Sequence, residues 1–401
     1  MGKALASVSK HGLLAGLEDV ATRWARRRLR VPYNVLEDYE YVVSQEHRPM
    51  LSPPKAGPLK INWLVASADG GGRNGGLFNI FRAIYYLERW GHKNCVYVTS
   101  KSAVDSAEAK QVVHQYYYPV DAEISSVTGG IADSDALVAT EWRTAYTARA
   151  LGNTAQKFYF VQDLEHLFHP EGSLREFAKH TYQWNFCGVT AGEWIAGTLR
   201  TEFGMDCYAF GFSYDREVYF PNGTDRQSGQ RKRVLFYARP ETERRGFELG
   251  LLALLIVSRH MPNTEFVLVG SWLPSVKLPF AAILPGALRS RELGALYRGC
   301  DVALVLSHTN VSLLPLELMA CGCAVVSNSG PNVEWLLTEE TAQLADASPA
   351  ALADAILTLL RDEELRARKS AAGLAFAEKT DWEAEIRRIE SAFYQGLGCR
   401  Q

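Results

Sequence analysis

Three stretches of the sequence gather residue types that bind anions or hydroxyl groups. The first is Ala238-Arg239-Pro240-Glu241-Thr242-Glu243-Arg244-Arg245-Gly246, which follows an apolar strand-like run and precedes a helical pattern. Guanidinium groups grip phosphate through paired N–H donors, and a helix N-terminus adds partial positive charge. The same composition also suits a solvated turn in which Glu241 and Glu243 pair with the arginines. The second stretch, Ser307 to Gly322, carries one acid, Glu317, inside an otherwise apolar first helical turn. Burying a carboxylate there is costly unless it accepts hydrogen bonds. Ligand hydroxyls such as those of a ribose would supply them; a plain helix-start carboxylate favoured by the dipole is the alternative. The third is Asp69-Gly70-Gly71-Gly72-Arg73-Asn74-Gly75-Gly76, between a strand and a helix. Its glycines would let backbone N–H groups approach an anion. It is neither a dinucleotide fingerprint nor a Walker A loop, since no Gly-Lys-Ser/Thr follows, and a flexible loop is its other reading.

Polar groups also stand just past the apolar run Phe158 to Val161: Asp163, Glu165 and His166. A histidine there can exchange a proton with a hydroxyl near neutral pH. Each of the three is either structural or part of a site at the strand end. His308 occupies a similar place and ranks below the arginines. Asp133 and Asp135 read as the polar turn before a strand at 136–139. No acidic pair follows a strand in a metal-binding setting, so no metal ligands and no cofactor are expected.

These residues need a scaffold that ends strands beside helix starts. Strands are expected at Ile61 to Ala66, Cys95 to Val98, Ala136 to Ala139, Phe158 to Val161 and Cys187 to Thr190, with helices at Leu77 to Trp90 and Ala191 to Phe203. The alternation breaks at Phe220-Pro221-Asn222-Gly223 and the polar run Thr224 to Arg233. It restarts with strands at Val234 to Tyr237, Phe266 to Val269, Val302 to Leu306 and Ala324 to Ser327. Helices are expected at Phe247 to Ser258, Arg289 to Arg298, Leu314 to Ala320, 348–362 and 381–395. Alternating βαβ units imply parallel sheets with helices on both faces. The fold class is therefore α/β, with two Rossmann-like doubly wound domains facing across a cleft, where ligands bind beyond the carboxyl ends of the strands. The expected division is a helical extension over 1–50, a first domain over 58–215, a second over 230–380, and a last helix over 381–401 that packs back toward the first domain. Ser52 to Pro58 reads as a stiff linker.

Composition bounds the function. With 401 residues, 47% hydrophobic and 22% charged, the chain is globular and too long for one ordinary core. Its 43 Lys and Arg against 45 Asp and Glu give no global pull toward nucleic acid. The seven cysteines form no CxxC pair, which speaks against zinc and disulfides and for a reduced cytoplasmic setting. No run of 18 apolar residues spans a membrane, and the first ten residues lack a signal-peptide core. Residues 12–31 have helical apolar spacing and end in Arg26, Arg27, Arg28 and Arg30. They form either a docking helix or an interfacial helix on anionic lipid at the inner face of the plasma membrane.

Four pieces in order, Arg239…Arg245-Gly246, Val267-Leu268-Val269-Gly270, Leu296-Tyr297…Cys300-Asp301-Val302 and Pro315-Leu316-Glu317…Met319-Ala320-Cys321-Gly322…Val325-Val326, resemble the retaining GT-B glycosyltransferases of family 4. The stretch Phe160-Val161-Gln162-Asp163-Leu164-Glu165…Phe168-His169-Pro170, with the glycine loop, resembles the WsaF group of bacterial rhamnosyltransferases. The resemblance implies that Arg239 and Arg245 grip the donor diphosphate, Arg245 standing where the family usually has Lys. Backbone N–H groups of Ser312, Leu313 and Leu314 would meet the same diphosphate, Glu317 would hold the ribose, and Gly75 and Gly76 would close over the donor. Asp163 and His166, by their place past a strand end rather than by the resemblance, are the candidates to serve the acceptor. The partners implied are a nucleoside-diphosphate sugar, with dTDP-L-rhamnose as the candidate, and a glycan or lipid-linked glycan acceptor. One position departs from the pattern: the family's first motif Glu, which touches the sugar, is Thr309 here. That departure leaves room for a deoxy sugar or a different hydroxyl pattern, or for a non-catalytic carbohydrate-binding homologue; a nucleotide-sugar epimerase of the same two-domain shape is a separate alternative.

Overall fold

A computed structural model describes residues 35–68, 75–100, 104–221, 231–273 and 277–399 of the chain. The helix expected over residues 12–31, residues 69–74 of the glycine loop and residues 222–230 of the polar break lie outside them. The chain divides into two compact units. One comprises residues 1–160, 180–187 and 390–401, the other residues 161–179 and 188–389.

The first sheet is built from β1 (Lys60–Val65), β2 (Lys93–Val98), β3 (Glu123–Ser126), β4 (Ser134–Ala139), β5 (Thr154–Val161), β6 (Cys187–Ala191) and β7 (Cys207–Phe210). Its order is β3-β2-β1-β4-β5-β6-β7. β1 pairs in parallel with both β2 and β4, Trp63 lying level with Val96 on one side and Val138 on the other. Central strands covered on both faces carry near-continuous apolar runs, and Ile61 through Val65 is buried throughout. Helix Gly75–Arg89 follows β1 and buries Leu77, Ile80, Phe81, Ile84 and Leu87, the helical spacing of one face.

The second sheet is built from β8 (Arg233–Ala238), β9 (Glu265–Gly270), β10 (Ala282–Gly286), β11 (Val302–Val305), β12 (Ala324–Asn328) and β13 (Gln343–Ala345), in the order β10-β9-β8-β11-β12-β13. Its neighbouring strands all pair in parallel, with Val234 opposite Val302 and Phe266. Val234, Phe236, Leu268 and Leu304 form its core with residues of helices Phe247–His260 and Pro349–Arg361.

Both sheets leave their first strand toward one edge and then return to its other side. The chain thus reverses direction between β1 and β4, and again between β8 and β11. In doubly wound sheets ligands bind past the carboxyl ends of the strands at such a reversal. Ala238 and Val305 are the last residues of the two strands at the second reversal.

Candidate functional site

Arg239 is the first residue after β8. Its Nε donates to Glu241 Oε1 at 2.9 Å, and Glu241 is held in turn by the Ser271 hydroxyl at 2.7 and 2.8 Å. Burial works against its charge, but Tyr237 and Glu241 outweigh that and leave its pKa raised. The turn continues through Glu243–Arg245 and ends at Gly246, whose φ of +59° is in the left-handed region. A Cβ there would sit 3.1 Å from Leu306 and 3.2 Å from the His308 ring. Glycine therefore lets the arginine turn close against the residues following β11. His308 N donates to Arg244 O at 2.9 Å across that contact.

Arg245 reaches into the loop after β11. Its Nη1 donates to Ser307 Oγ at 2.6 Å and to the Asn310 carbonyl at 3.1 Å. Burial pushes its pKa down to about 10, opposed by the Asp163 carboxylate, so it stays charged at neutral pH. Arg244 lies with its guanidinium carbon 3.8 Å from the centroid of the Phe168 ring, and its Nε is 3.6 Å from Asp163 Oδ2.

The loop 307–311 is a buried hydrogen-bonded knot. Asn328 bonds both the N–H and the carbonyl of Ser307 at 2.9 Å. Asn332 Nδ2 donates to the carbonyls of Ser307 and Thr309 at 2.9 and 2.6 Å. Asn310 donates its amide to the carbonyls of Gln162 and Ala191 and accepts from Trp335 Nε1 at 2.9 Å. Thr309 and Asn310 are 2% and 1% exposed, so neither side chain is free to move. Every buried polar atom in such a net costs free energy if its partner leaves.

Beyond the knot, helix Leu314–Ala320 starts with Leu313 as its N-cap and Pro315 in its first turn. The N–H groups of Ser312, Leu313 and Leu314 point to no acceptor among the described residues. Glu317 lies in the first turn, half-buried, and interacts electrostatically with Tyr219, Tyr237 and Tyr297. Tyr219 stacks on Tyr297 at 5.9 Å.

Asp163 is buried at the start of the loop after β5. Burial raises its pKa, against the pull of Arg245, Arg244 and its hydrogen-bond donors Asn310 N and Thr309 Oγ1. His166 follows in the turn Glu165–Phe168, 6% exposed, with its pKa pushed down to about 4 by burial, helped by Arg175 and Lys179. Gly75 and Gly76 begin helix Gly75–Arg89 in the first unit.

Of the residues singled out in the sequence, Arg239, Arg245, Asp163, His166, Ser312, Leu313, Leu314 and Glu317 belong to the second unit. Arg245 and Asp163 converge on Asn310. Sequence reasoning did not assign roles to Arg244, Asn310, Asn328, Asn332 or Trp335. The one local signal was the recurrence of asparagine at or past successive strand ends, at 310, 328 and 332. Among the described residues no cluster of His, Cys, Asp or Glu could hold a metal ion, and no helix is long and apolar enough to cross a membrane. All seven cysteines are free thiols.

The sequence model of the family described as "WsaF, C-terminal domain" matches residues 232–357. The O-antigen biosynthesis protein RfbC of Myxococcus xanthus is 37% identical over 260 residues, covering 64% of this chain. The chain spans only 20% of RfbC's own length. Among solved structures, sucrose-phosphate synthase of Thermosynechococcus elongatus matches with a TM-score of 0.66 at 14% identity, over 84% of this chain and 99% of that one. HepE of Anabaena, in complex with UDP and glucose, matches with 0.62 at 16% identity, over 84% of this chain and 100% of that one. The two parallel-sheet α/β domains have the fold of the GT-B glycosyltransferases.

Proposed function

We infer that this chain is a glycosyltransferase that moves a sugar from a nucleoside diphosphate to a growing surface glycan. The observation that carries the reading is that Arg239, Arg244 and Arg245 follow β8 and that Ser312, Leu313 and Leu314, whose N–H groups meet no acceptor among the described residues, follow β11, at the strand ends where the second sheet reverses. Breaking the bond between the anomeric carbon and phosphate leaves negative charge on the departing diphosphate. Fixed cations and amide donors stabilise that charge without reorganising. Glu317 is the proposed ribose ligand, and backbone contact with the donor is the proposed role of Gly75 and Gly76. His166, uncharged at neutral pH, is the proposed hydrogen-bond partner of the acceptor hydroxyl.

RfbC is named for O-antigen biosynthesis and the matched family for WsaF. The name of RfbC supports a glycan acceptor; a lipid-linked form of that acceptor, dTDP-L-rhamnose as the donor and transfer with retention of anomeric configuration complete the proposal. Membrane contact through residues 12–31 would bring such an acceptor close from the cytoplasmic side.

A thermal-shift screen of nucleoside diphosphates and their sugars, followed by mass analysis with glycan acceptors, tests the reading. The expected outcome is stabilisation by one nucleotide and sugar transfer to acceptor. Epimerised donor in the absence of acceptor, or no nucleotide binding at all, would defeat it. The buried, hydrogen-bonded Thr309 favours one second reading, a non-catalytic sugar-binding homologue. Binding without turnover across acceptors would select that reading.

A further inference from the structure

The Asp163 carboxylate has little capacity left for a substrate proton. Oδ1 accepts from Asn310 N at 2.9 Å and from Leu164 N at 2.8 Å. Oδ2 accepts from Thr309 Oγ1 at 2.7 Å and faces Arg244 Nε at 3.6 Å. The residue is 8% exposed. Its neighbour Gln162 grips the same loop, offering its carbonyl to the Asn310 amide at 3.1 Å. Asn310 is therefore held at its N–H by Asp163 and at its carbonyl by Arg245, at 3.1 Å. A continuous line of hydrogen bonds runs from the carboxylate through one residue to the guanidinium.

We propose that Asp163 is a positioning residue: its carboxylate fixes the backbone at Thr309 and Asn310, and through the Asn310 carbonyl it sets the guanidinium of Arg245. The role rests on the reading that Arg245 grips a donor diphosphate. Removing the anchor would let the loop relax and carry Arg245 and the N–H groups of 312–314 away from the phosphate. A group that accepts the acceptor's proton behaves differently, because it acts on turnover and leaves the nucleotide alone. The two roles also differ in what asparagine can replace. An amide oxygen still accepts from Asn310 N and Leu164 N, and the Thr309 hydroxyl can turn to accept from the amide nitrogen. An amide cannot take up a proton at neutral pH.

The test uses the full chain and calorimetric titration with UDP, GDP, ADP and dTDP, together with kcat and KM for the matching sugar donor. For Asp163→Asn the expected dissociation constant stays within about threefold of wild type and kcat within about tenfold. Asp163→Ala is expected to weaken nucleotide binding at least about tenfold and to raise the donor KM along with lowering kcat. If the alanine variant does not fold, Thr309→Val removes the donor to Oδ2 alone, and its expected effect is about threefold weaker binding. Asparagine as inactive as alanine, with nucleotide affinity unchanged, would overturn the positioning role in favour of proton transfer. Wild-type affinity in both the alanine and valine variants would overturn it while leaving the transferase reading standing. A wild-type chain that binds none of the four nucleotides would overturn both.

Discussion

Replacing Arg239 with alanine separates binding chemistry from stability, and the structure sets the size of both effects. The side chain is 34% exposed and its partner Glu241 39%. An ion pair this open to solvent contributes about 0–1 kcal/mol. In a folding unit of this size 1 kcal/mol shifts the melting temperature by about 2–4 °C, so the variant is expected to melt within a few degrees of wild type. The loss at the phosphate is larger. A preorganised donor to a developing anion is worth about 3–4 kcal/mol, which is a fall of about 10²- to 10³-fold in turnover. Glu241 adds to the deficit, because the Ser271 hydroxyl keeps its carboxylate in place beside a diphosphate it would then repel. Arg239→Ala combined with Glu241→Gln should therefore recover part of the lost nucleotide affinity. Calorimetric titration with the stabilising nucleotide, steady-state transfer kinetics and a melting curve measure the three quantities on one preparation. A variant with wild-type turnover and affinity would refute the assignment. A melting point lowered by more than 10 °C would refute the premise that Arg239 is a surface group available to a ligand.

Two further outcomes follow from burial. At Gly192, with φ at +97°, an added Cβ would lie 2.5–2.7 Å from the Trp335 ring that holds Asn310. Gly192→Ala is expected to cost about 2 kcal/mol or more through strain and displacement, and an unchanged urea midpoint would contradict this. His166 has its pKa lowered by burial to about 4, against about 6.5 in an unfolded chain. Between those values the unfolded state binds more protons, so stability falls as pH drops from 6.5 to 4, by up to about 3 kcal/mol. A His166→Gln variant should lose less stability over that window, and parallel urea curves for the two proteins would rule the effect out.

The centres of both sheets were legible in the sequence and their edges were not. β1, β4, β8, β11 and β12 are apolar runs because helices cover them on both faces, and each was expected within a residue or two of its place. The strands missed, β3, β7, β10 and β13, are the edges of the two sheets. They are three to five residues long and half-exposed, so no continuous apolar run marks them. The helix expected from Ala191 starts instead at Glu193, because Ala191 completes β6 and Gly192 breaks the chain direction. At the proposed site, the positions of Arg239, Arg245 and Glu317 at a strand end or a helix start were readable in the sequence. The bond from Thr309 to Asp163 joins residues 146 positions apart, and nothing in local spacing records it. Buried polar networks are specified by tertiary approach, which periodicity does not encode.

The two sheets share one strand order up to the sixth strand, so topology alone offers a ligand site at the reversal of each. Charge breaks the tie. After β4 the chain continues with Thr140, Glu141, Trp142 and Arg143, and the one cation, Arg143, lies with its Nη1 3.9 Å from Glu141 Oε2. After β8 it continues with Arg239, Arg244 and Arg245, and after β11 with a loop that accepts one of those guanidinium groups and whose next three N–H groups meet no acceptor among the described residues. Glu241 pairs with Arg239, and Asp163 is already engaged with four donors or cations of its own, which leaves Arg244 and Arg245 without a further carboxylate in these contacts. Three arginines thus follow the strand end of β8 at the second reversal. A diphosphate, which needs cations and amide donors together, is expected there because of the residues that follow β8 and β11, on a scaffold that would have served either unit.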